Sequence, residues 1–414
     1  MRNTRCISQP RALYSRRIML TFTEARNKIL EAIQPIALER ISVASALRRV
    51  LASDVVSQED VPSFDNSSMD GFAVRAAEVK VGDSLTIQRE VSAGEIASEA
   101  LKPRSAIRIF TGAAIPPGTD AVLEVELADE KNGAIVPRQE ILPGRNVRKR
   151  GEDISPGELV IKEGKRLAAA HLGVLASLGI LSVDVYKKPR VALLTTGNEL
   201  MEIGGPPQPG KIRNSNAYTL SALIAEQNCE PHDLGVARDT EEAIRTKLLE
   251  GLAHDALVTS GGVSVGKYDL MLSVAESVGV EILFWKVNIK PGMPFAFGMF
   301  ERRVPTFFLP GNPVSSTVTF LQLAAPGIEK LSGVAAEPSV QLFALLEHSI
   351  KKGDDKRHFS RGVVRSESGS LVVRAASSQS SGVLSAMARS NCFIILPETE
   401  REFKSGDVVE IQLL

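Results

Sequence analysis

The stretch that runs from Arg190-Val-Ala-Leu-Leu-Thr-Thr196 to Leu309-Pro-Gly-Asn-Pro313 contains three short apolar segments, each of which stops at a loop of small residues. The second segment is Asp255-Ala-Leu-Val-Thr-Ser260, and the third is Thr306-Phe-Phe-Leu309. None of them alternates apolar with polar residues, which is typical of a strand buried on both faces. Helical patterns separate or follow the segments, at residues 216–227, 240–253, 269–278 and 314–331. This order predicts a doubly wound, mostly parallel α/β sheet domain at residues 188–332.

The loops after the three strands have the composition of a site for an anionic, nucleotide-like ligand. They read Gly197-Asn-Glu199, Gly261-Gly-Val-Ser-Val-Gly-Lys-Tyr-Asp269 and Pro310-Gly-Asn-Pro313. Glycines let the backbone approach a ligand closely and present N–H groups to oxyanions. In doubly wound sheets the ligand lies beyond the carboxyl ends of the strands, so we expect the three loops to meet at one site.

Three carboxylates, Glu199, Asp239 and Asp269, lie at or just after predicted strand ends. Carboxylates beside a phosphate site suggest Mg²⁺, a hard cation that takes oxygen ligands and bridges phosphates. The alternative is that Asp239 and Asp269 only cap helices, since negative charge is favourable at a helix N-terminus.

Two lysines, Lys286 and Lys290, lie four residues apart. If residues 284–289 form a strand, this even spacing puts both ammonium groups on one face, where they would attract an oxyanion. The alternative is a solvated edge strand that lysines protect from aggregation.

Length and composition exclude several classes of protein. The chain has 414 residues, enough for about two to four domains. Its 49 basic and 49 acidic residues leave no net charge, which argues against a protein that coats nucleic acid. The three cysteines lack metal-binding spacing and indicate a reducing, cytoplasmic environment. No apolar stretch approaches the roughly 20 residues of a membrane span, so no membrane association is expected.

The remaining segments differ from the sheet domain in composition and in the spacing of their apolar residues. Residues 1–20 are basic and irregular, and we interpret them as a disordered or mis-assigned N-terminal extension. Helical patterns at 21–33, 42–51 and 167–178 predict a discontinuous helical linking domain formed by residues 21–57 and 144–187. Short β patterns predict a β-rich inserted domain at 58–143 and an all-β, barrel-like C-terminal domain at 337–414.

Several long motifs also resemble one known family. They are Phe64-Asp-Asn-Ser-Ser-Met-Asp-Gly71, Thr195-Thr-Gly-Asn-Glu-Leu200, Ser260-Gly-Gly-Val-Ser-Val-Gly-Lys-Tyr-Asp269, Trp285-Lys-Val-Asn-Ile-Lys-Pro-Gly-Met-Pro294 and Leu309-Pro-Gly-Asn-Pro-Val-Ser315. In this order they resemble the molybdopterin molybdenumtransferases, which include bacterial MoeA and the E domain of gephyrin. The resemblance covers nearly the whole chain after about residue 20. It implies an enzyme that inserts molybdenum from molybdate into adenylylated molybdopterin and releases AMP.

The resemblance also implies roles for individual residues. The implied catalytic set is Asp65, Thr111, Glu199, Asp239, Asp269, Lys286 and Lys290. Mg²⁺ would be held by Asp239 and Asp269. The implied substrate-binding set is Gly261, Gly262, Ser264, Pro310, Gly311, Asn312, Pro313, Ser315, Arg361 and Ser381, with backbone amides of the Gly261-Gly262 and Gly311-Asn312 loops on the phosphates. Molybdate would be bound by Lys290, Ser315, Arg361 and Ser381.

The chain departs from the family pattern at Met293, where many relatives have a lysine; a thioether cannot replace an ammonium group in binding an anion. The resemblance further implies a homodimer with shared clefts, and partners such as a molybdopterin adenylyltransferase and molybdoenzyme maturation proteins. Two other functions stay open. One is the related adenylyltransferase, which would not need the domains of Asp65 and Ser381. The other is a non-catalytic scaffold of the gephyrin kind.

Overall fold

The computed structural model describes residues 19–263, 270–336 and 340–414. In these ranges the α-helices are α1 Phe22–Ala32, α2 Ala169–Ser177, α3 Ser215–Glu226, α4 Glu241–Gly251, α5 Met271–Ser277, α6 Pro313–Thr319, α7 Ala325–Leu331 and α8 Leu384–Ala388. A π-helical segment, Phe320–Ala324, joins α6 to α7 and completes the helix predicted at 314–331. Within the described ranges no helix is both long and apolar enough to span a lipid bilayer.

The strands of the described chain follow in order. They are β1 Leu38–Ser42, β2 Val55–Val56, β3 Asn66–Ser67, β4 Gly71–Val74, β5 Leu85–Val91, β6 Ser105–Ile109, β7 Ala121–Glu124, β8 Ala128–Lys131, β9 Ala134–Pro137, β10 Val147–Arg148, β11 Leu159–Ile161, β12 Ser182–Tyr186, β13 Arg190–Thr196, β14 Leu200–Met201, β15 Ile212–Arg213, β16 Glu230–Ala237, β17 Ala256–Ser260, β18 Val280–Trp285, β19 Ile289–Lys290, β20 Ala296–Phe300, β21 Val304–Leu309, β22 Leu342–Leu346, β23 Ile350–Lys351, β24 Arg357–Glu367, β25 Ser370–Ala375, β26 Cys392–Leu396, β27 Glu402–Phe403 and β28 Val408–Leu413.

The chain divides into two compact units. The first, which we name the sheet unit, comprises the described residues up to Glu39, then Arg48–Ala52 and Asp184–Leu414. The second, the inserted unit, comprises Arg40–Leu47 and Ser53–Val183.

The sheet unit is built on a six-stranded sheet in the order β16-β13-β17-β21-β20-β18. The pairs from β16 to β21 are parallel, while β20 and β18 add antiparallel strands at one edge. Successive residues of β13 enter opposite cores: Val191 and Leu193 pack with helix α3, whereas Ala192 and Leu194 pack with helix α4. Strand alternation explains this arrangement, because neighbouring side chains point to opposite faces. Helices on both faces confirm the predicted doubly wound, mostly parallel sheet.

Helix α1 belongs to the sheet unit, which differs from the grouping of residues 21–57 with 144–187 that the sequence suggested. A capping box fixes its N-terminus: Glu24 N donates to Thr21 Oγ1 at 3.2 Å, and Thr21 N donates to Glu24 Oε2 at 2.9 Å. The buried side chains of Ile29 and Ile33 then join the core on the α3 side of the sheet. Helix α1 therefore belongs to the sheet unit because its apolar side chains are buried in the core of that unit.

The helix predicted at 42–51 is not formed. The chain makes only a 3₁₀ turn at Val43–Ser45, and Arg48 has a φ of 63°. A left-handed residue cannot continue a right-handed helix, so the apolar spacing of this segment was misleading.

The C-terminal part of the sheet unit is a closed barrel, as predicted. Strands β24, β25, β22, β28 and β26 pair in that order, and β26 pairs back to β24. The short strand β19 lies between β18 and β20 of the main sheet in the sequence, but it pairs in parallel with the first two residues of β24, Arg357 and His358.

The inserted unit carries the predicted β-rich segment. Its main sheet has the order β7-β4-β6-β5-β9-β8, and apolar side chains such as Phe72, Leu85 and Ile135 fill its core. Helix α2 confirms the helix predicted at 167–178, and it ends before Gly179, which has a φ of 67°.

The packing of α1 on α7 yields a stability prediction. A Cβ on Gly327 would lie 2.8 Å from Ile29 Cγ2 and 2.9 Å from Phe307 Cζ. Gly327→Ala should therefore lower the free energy of unfolding by about 1–3 kcal/mol through overpacking. The measurement is urea unfolding followed by the fluorescence of Trp285, the only tryptophan, which lies in the sheet unit.

The control is Gly173→Ala in α2, where a Cβ meets nothing within 4 Å and which lies in the inserted unit. This variant should leave the Trp285 transition in place. Equal midpoints for the two alanine variants would contradict the packing argument.

Candidate active site

A cavity of about 510 Å³ lies at the carboxyl ends of β13, β17 and β21. The three ends are level, because Thr195 pairs with Ser260, and Ser260 pairs with Leu309. The cavity is lined by Thr195, Thr196, Gly197, Glu199, Leu200, Ile212, Arg213, Asn214, Ser215, Asn216, Asp239, Ser260, Gly261, Gly262, Pro294, Pro310, Gly311, Asn312, Pro313 and Ser315. The structure thus brings together the three loops that the sequence placed at one site.

The loop after β13 contributes Glu199 to the cavity and contacts Asp239, a second cavity carboxylate that follows β16. Asn198 N donates to Asp239 Oδ2 at 3.0 Å, and Asp239 N donates to Asn198 Oδ1 at 3.2 Å. This reciprocal pair fixes Asp239 beside the end of β13. Glu199 folds back over the loop, since a Cβ on Gly197 would lie 2.6 Å from Glu199 Oε2.

The loop after β17 approaches β13 very closely at Gly261. This residue has a φ of 99°, and a Cβ on it would lie 2.5 Å from Thr196 O. Its own N–H donates to Leu309 O at 3.1 Å. The Oγ1 atom of Thr196 is buried beside both glycines without a hydrogen-bond partner within the described chain.

Asn216 joins the second and third loops. Its Nδ2 donates to Ser260 Oγ and to Gly311 O, at 2.8 Å each. Sequence reasoning missed this residue, together with Asn214, whose Nδ2 donates to Thr195 Oγ1 at 2.8 Å while its Oδ1 caps α3 through Ala217 N at 3.3 Å. The available signal was two asparagines at the start of a helix that follows a glycine-rich loop.

The loop after β21 also contacts the barrel. Asn312 Nδ2 donates to Ser381 Oγ at 3.1 Å, and Val314 N donates to Ser381 O at 3.1 Å. Ser381 therefore lies against the loop that leads into α6, the helix that contains Ser315.

Arg361 is fully buried in the barrel strand β24. Its Nη2 donates to Ser378 O at 2.9 Å and to Ser380 O at 3.3 Å. Within the part of the chain that the structure describes, its Nε and Nη1 atoms are buried without partners. Burial lowers the pKa of this guanidinium.

The two lysines do not share one strand face, so the geometric prediction for them was wrong. Strand β18 ends at Trp285, and Lys286 has a φ of 73°, which turns the chain. Lys286 Nζ lies 4.3 Å from the centroid of the Trp285 ring, a cation–π contact. Lys290 belongs to β19 and pairs with Asp354 in the barrel, with 3.1 Å between Nζ and Oδ2.

Asp65 and Thr111 belong to the inserted unit. Asp65 Oδ1 accepts from Arg150 N at 2.8 Å, and its Oδ2 accepts from Lys149 Nζ at 2.9 Å. These two bonds, the backbone one first, lower the pKa of Asp65. Thr111 donates from N and from Oγ1 to Asp70 Oδ1, at 2.8 Å each, which lowers the pKa of Asp70.

The predicted residues Ser264 and Asp269 lie outside the described residues.

Comparisons with known proteins agree with this arrangement along the chain. Residues 20–179 match the MoeA N-terminal region (domain I and II), residues 192–330 a probable molybdopterin binding domain, and residues 344–414 the MoeA C-terminal region (domain IV). The molybdopterin molybdenumtransferase of Haemophilus influenzae is 39% identical over 401 residues, which cover 95% of this chain and 98% of that protein.

The chain belongs to the MoeA family. A second member, the molybdopterin molybdenumtransferase of Bacillus subtilis, is 33% identical over 91% of this chain and 90% of its own length. The crystal structure of the molybdopterin biosynthesis moeA protein of Pyrococcus horikoshii superposes with a TM-score of 0.82 at 30% identity. The superposition covers 96% of this chain and 100% of the Pyrococcus horikoshii chain. The MoeA resemblance and the multidomain fold inferred from the motifs are therefore confirmed.

The Asn216 bridge predicts how this MoeA-family cavity keeps its shape. Asn216→Asp keeps the size of the side chain but turns a carboxylate oxygen toward Ser260 and Gly311 O. The carboxylate cannot donate to Gly311 O and repels it, so the hydrogen-exchange rate of peptides across 256–263 and 305–316 should rise by roughly tenfold.

Asn228→Asp is the matched control, because Asn228 Nδ2 likewise donates to a backbone oxygen, Arg48 O, at 2.9 Å and does not line the cavity. Exchange in the two cavity peptides should stay at the wild-type rate in this control. If Asn216→Asp also exchanges at the wild-type rate, the bridge does not hold the loops.

Proposed function

We propose that the protein is a molybdopterin molybdenumtransferase, which transfers molybdenum from molybdate to adenylylated molybdopterin with release of AMP. Relatives of this name are 39% and 33% identical over more than nine tenths of the chain. The observation that carries the proposal is the cavity where three glycine-containing loops meet at level strand ends. This is where an open α/β sheet binds a phosphate-bearing ligand.

The loops at the strand ends of the sheet would bind the nucleotide part of the substrate. Backbone N–H groups of the Gly261-Gly262 and Gly311-Asn312 loops would bind the phosphates, and Pro310, Pro313 and Ser315 line the same cavity. Glycines suit this role because a side chain at Gly261 would collide with the backbone of Thr196. Glu199, which also lines the cavity, would position the substrate or move a proton.

We assign Mg²⁺ to this side as well, through Asp239 and Asp269. Among the described residues no group of three or more His, Cys, Asp or Glu side chains forms a complete metal site. The donor chemistry nevertheless fits Mg²⁺, which proteins usually hold through one or two carboxylates together with substrate phosphates and water. When bound, Mg²⁺ would neutralise phosphate charge as AMP leaves.

Molybdate, a substrate, is assigned to Lys290, Ser315, Arg361 and Ser381. Arg361 supports this assignment most strongly, because its buried guanidinium has two nitrogens without partners in the described part of the chain, which is unfavourable unless an anion completes their hydrogen bonds. Asp65, Thr111 and Lys286 are proposed members of the catalytic set on the family resemblance, with Asp65 positioning substrate or moving a proton.

We propose, on the same resemblance, that the protein acts as a homodimer in the cytoplasm. A molybdopterin adenylyltransferase would supply its substrate, and molybdoenzyme maturation proteins would receive its product.

The function is tested by AMP release from adenylylated molybdopterin with and without molybdate. We expect release that depends on molybdate, and Asp239→Asn should slow it by roughly a hundredfold because a carboxylate charge is lost at the reacting phosphate. The amide of the variant can still accept from Asn198 N, so the fold should be preserved.

The matched control is Asp233→Asn on β16, the strand that precedes Asp239; Asp233 Oδ1 accepts from Gly235 N at 2.9 Å, and Asp233 does not line the cavity. Its AMP release should equal that of the wild type. Formation of adenylylated molybdopterin from ATP, in place of its consumption, would show an adenylyltransferase and contradict the proposal.

Position 293 gives a second prediction for the proposed reaction. Met293 is half-buried, its carbonyl accepts from Val287 N at 3.0 Å, and the next residue, Pro294, lines the cavity. Met293→Lys should lower the KM for molybdate by roughly tenfold, because a charge-assisted hydrogen bond is added.

Met293→Gln, of similar length but uncharged, serves as the control and should leave the KM for molybdate within about twofold of wild type. A lysine variant with an equal or higher KM would mean that position 293 does not face the anion.

A further inference from the structure

The ammonium group of Lys290 is held by a short chain of polar contacts in the barrel. Lys290 Nζ donates to Asp354 Oδ2 at 3.1 Å. The other carboxylate oxygen, Oδ1, lies 2.7 Å from His358 Nε2 and 3.3 Å from Lys356 N. Side-chain exposure falls from 54% at Lys290 to 28% at Asp354 and 11% at His358. The contacts thus lead from an exposed ammonium to a nearly buried ring.

The ionisation of these groups suits a fixed hydrogen-bond chain. Burial raises the pKa of Asp354, but hydrogen bonds from His358, Lys290 and the Lys356 N–H outweigh burial and hold this pKa well below its ordinary value. Burial lowers the pKa of His358. At neutral pH a neutral imidazole therefore donates from Nε2 to an ionised carboxylate, which can only accept.

The backbone of Lys290 is fixed by the same part of the barrel. Strand β19 pairs in parallel with β24, and Lys290 stands opposite His358 in the register. Asn288, two residues earlier, accepts from Arg357 N at 3.1 Å and donates from Nδ2 to Asp355 O at 3.0 Å. Both ends of the Lys290 side chain are therefore anchored to residues 354–358.

We propose that Asp354 is a positioning residue for Lys290, fixed in turn by His358, so that the ammonium presents its two remaining N–H groups to molybdate. An ammonium has three donors, and Asp354 occupies one of them. Lysine is flexible, and restraining it before the anion arrives reduces the entropy lost on binding. The inference rests on the proposed assignment of Lys290 to molybdate.

The test compares KM and kcat for molybdate-dependent AMP release. Asp354→Ala should raise the KM for molybdate by roughly three- to tenfold, the gain expected from restraining one flexible side chain, and leave kcat at saturating molybdate within about twofold. Asp354→Asn keeps an acceptor oxygen and should restore most of the lost affinity. An unchanged or lower KM in Asp354→Ala would overturn the proposal.

Asp355→Ala is the matched control. It removes the same charge one residue along, but its carboxylate pairs with Arg401, with 2.6 Å from Oδ1 to Nε, and does not contact Lys290. Its KM for molybdate should equal that of the wild type. An increase as large as in Asp354→Ala would show a general charge effect of this loop and overturn the positioning role.

Two further measurements separate this inference from the proposed function. Lys290→Met should raise the KM for molybdate, and adding Asp354→Ala to Lys290→Met should not raise this KM further. If Lys290→Met leaves the KM for molybdate unchanged, the proposed assignment of Lys290 to molybdate is overturned instead.

Acylation of Lys290 by acetic anhydride, followed by mass spectrometry, reports on the contact between Lys290 and Asp354 without any turnover. Labelling should be faster in Asp354→Ala than in Asp355→Ala, and equal rates would overturn the positioning contact itself.

Discussion

The contact between Gly261 and the backbone of Thr196 is the constraint on which the candidate site depends. The parallel register sets the ends of β13, β17 and β21 level, and Gly261 bonds through its N–H to Leu309 O while passing over Thr196 O. A Cβ at Gly261 would lie 2.5 Å from that oxygen, so any side chain would force two strand ends apart. A single residue without a side chain therefore lets three loops enclose one cavity.

The electrostatics of the cavity complement this geometry. Glu199 and Asp239 supply negative charge, while the neighbouring Lys211 and Arg213 donate to backbone carbonyls, Arg213 to Ile203 O and Gly205 O at 3.1 Å each. Backbone N–H groups can bind phosphate oxygens, but carboxylates repel them unless a cation lies between. The two carboxylates therefore support the proposal that a divalent cation such as Mg²⁺ accompanies a phosphate-bearing substrate in this cavity.

The sequence predicts those parts of the site that depend on local pattern. Apolar runs without alternation predicted β13 and β17, because burial on both faces of a strand can be recognised from a few consecutive residues. The glycine loops predicted the edge of the sheet where the site lies, because glycine is the residue that most readily adopts positive φ angles. Long-range contacts cannot be recognised in this way. Lys290 and Asp354 are 64 residues apart, and only the pairing of β19 with the barrel brings them together. The prediction that Lys286 and Lys290 share one strand face failed for a similar reason. The chain turns at Lys286, which has a φ of 73°, and a lysine in the sequence does not indicate such a turn.

Arg361 shows how the barrel and the sheet loops depend on one another. Two nitrogens of this buried guanidinium lack partners within residues 19–263, 270–336 and 340–414, which destabilises a fold, so a purely structural role would favour an apolar residue at this position. The barrel instead holds it firmly: Arg361 N donates to Gln379 Oε1 at 3.0 Å, and Gln379 Nε2 donates back to Arg361 O at 2.9 Å. The same segment carries Ser381, which contacts Asn312 of the cavity loop. A buried cation that lacks partners for two nitrogens among the described residues, and that one short segment connects to the loop of Asn312, is better suited to binding an oxyanion than to stabilising a core, which supports its proposed role toward molybdate.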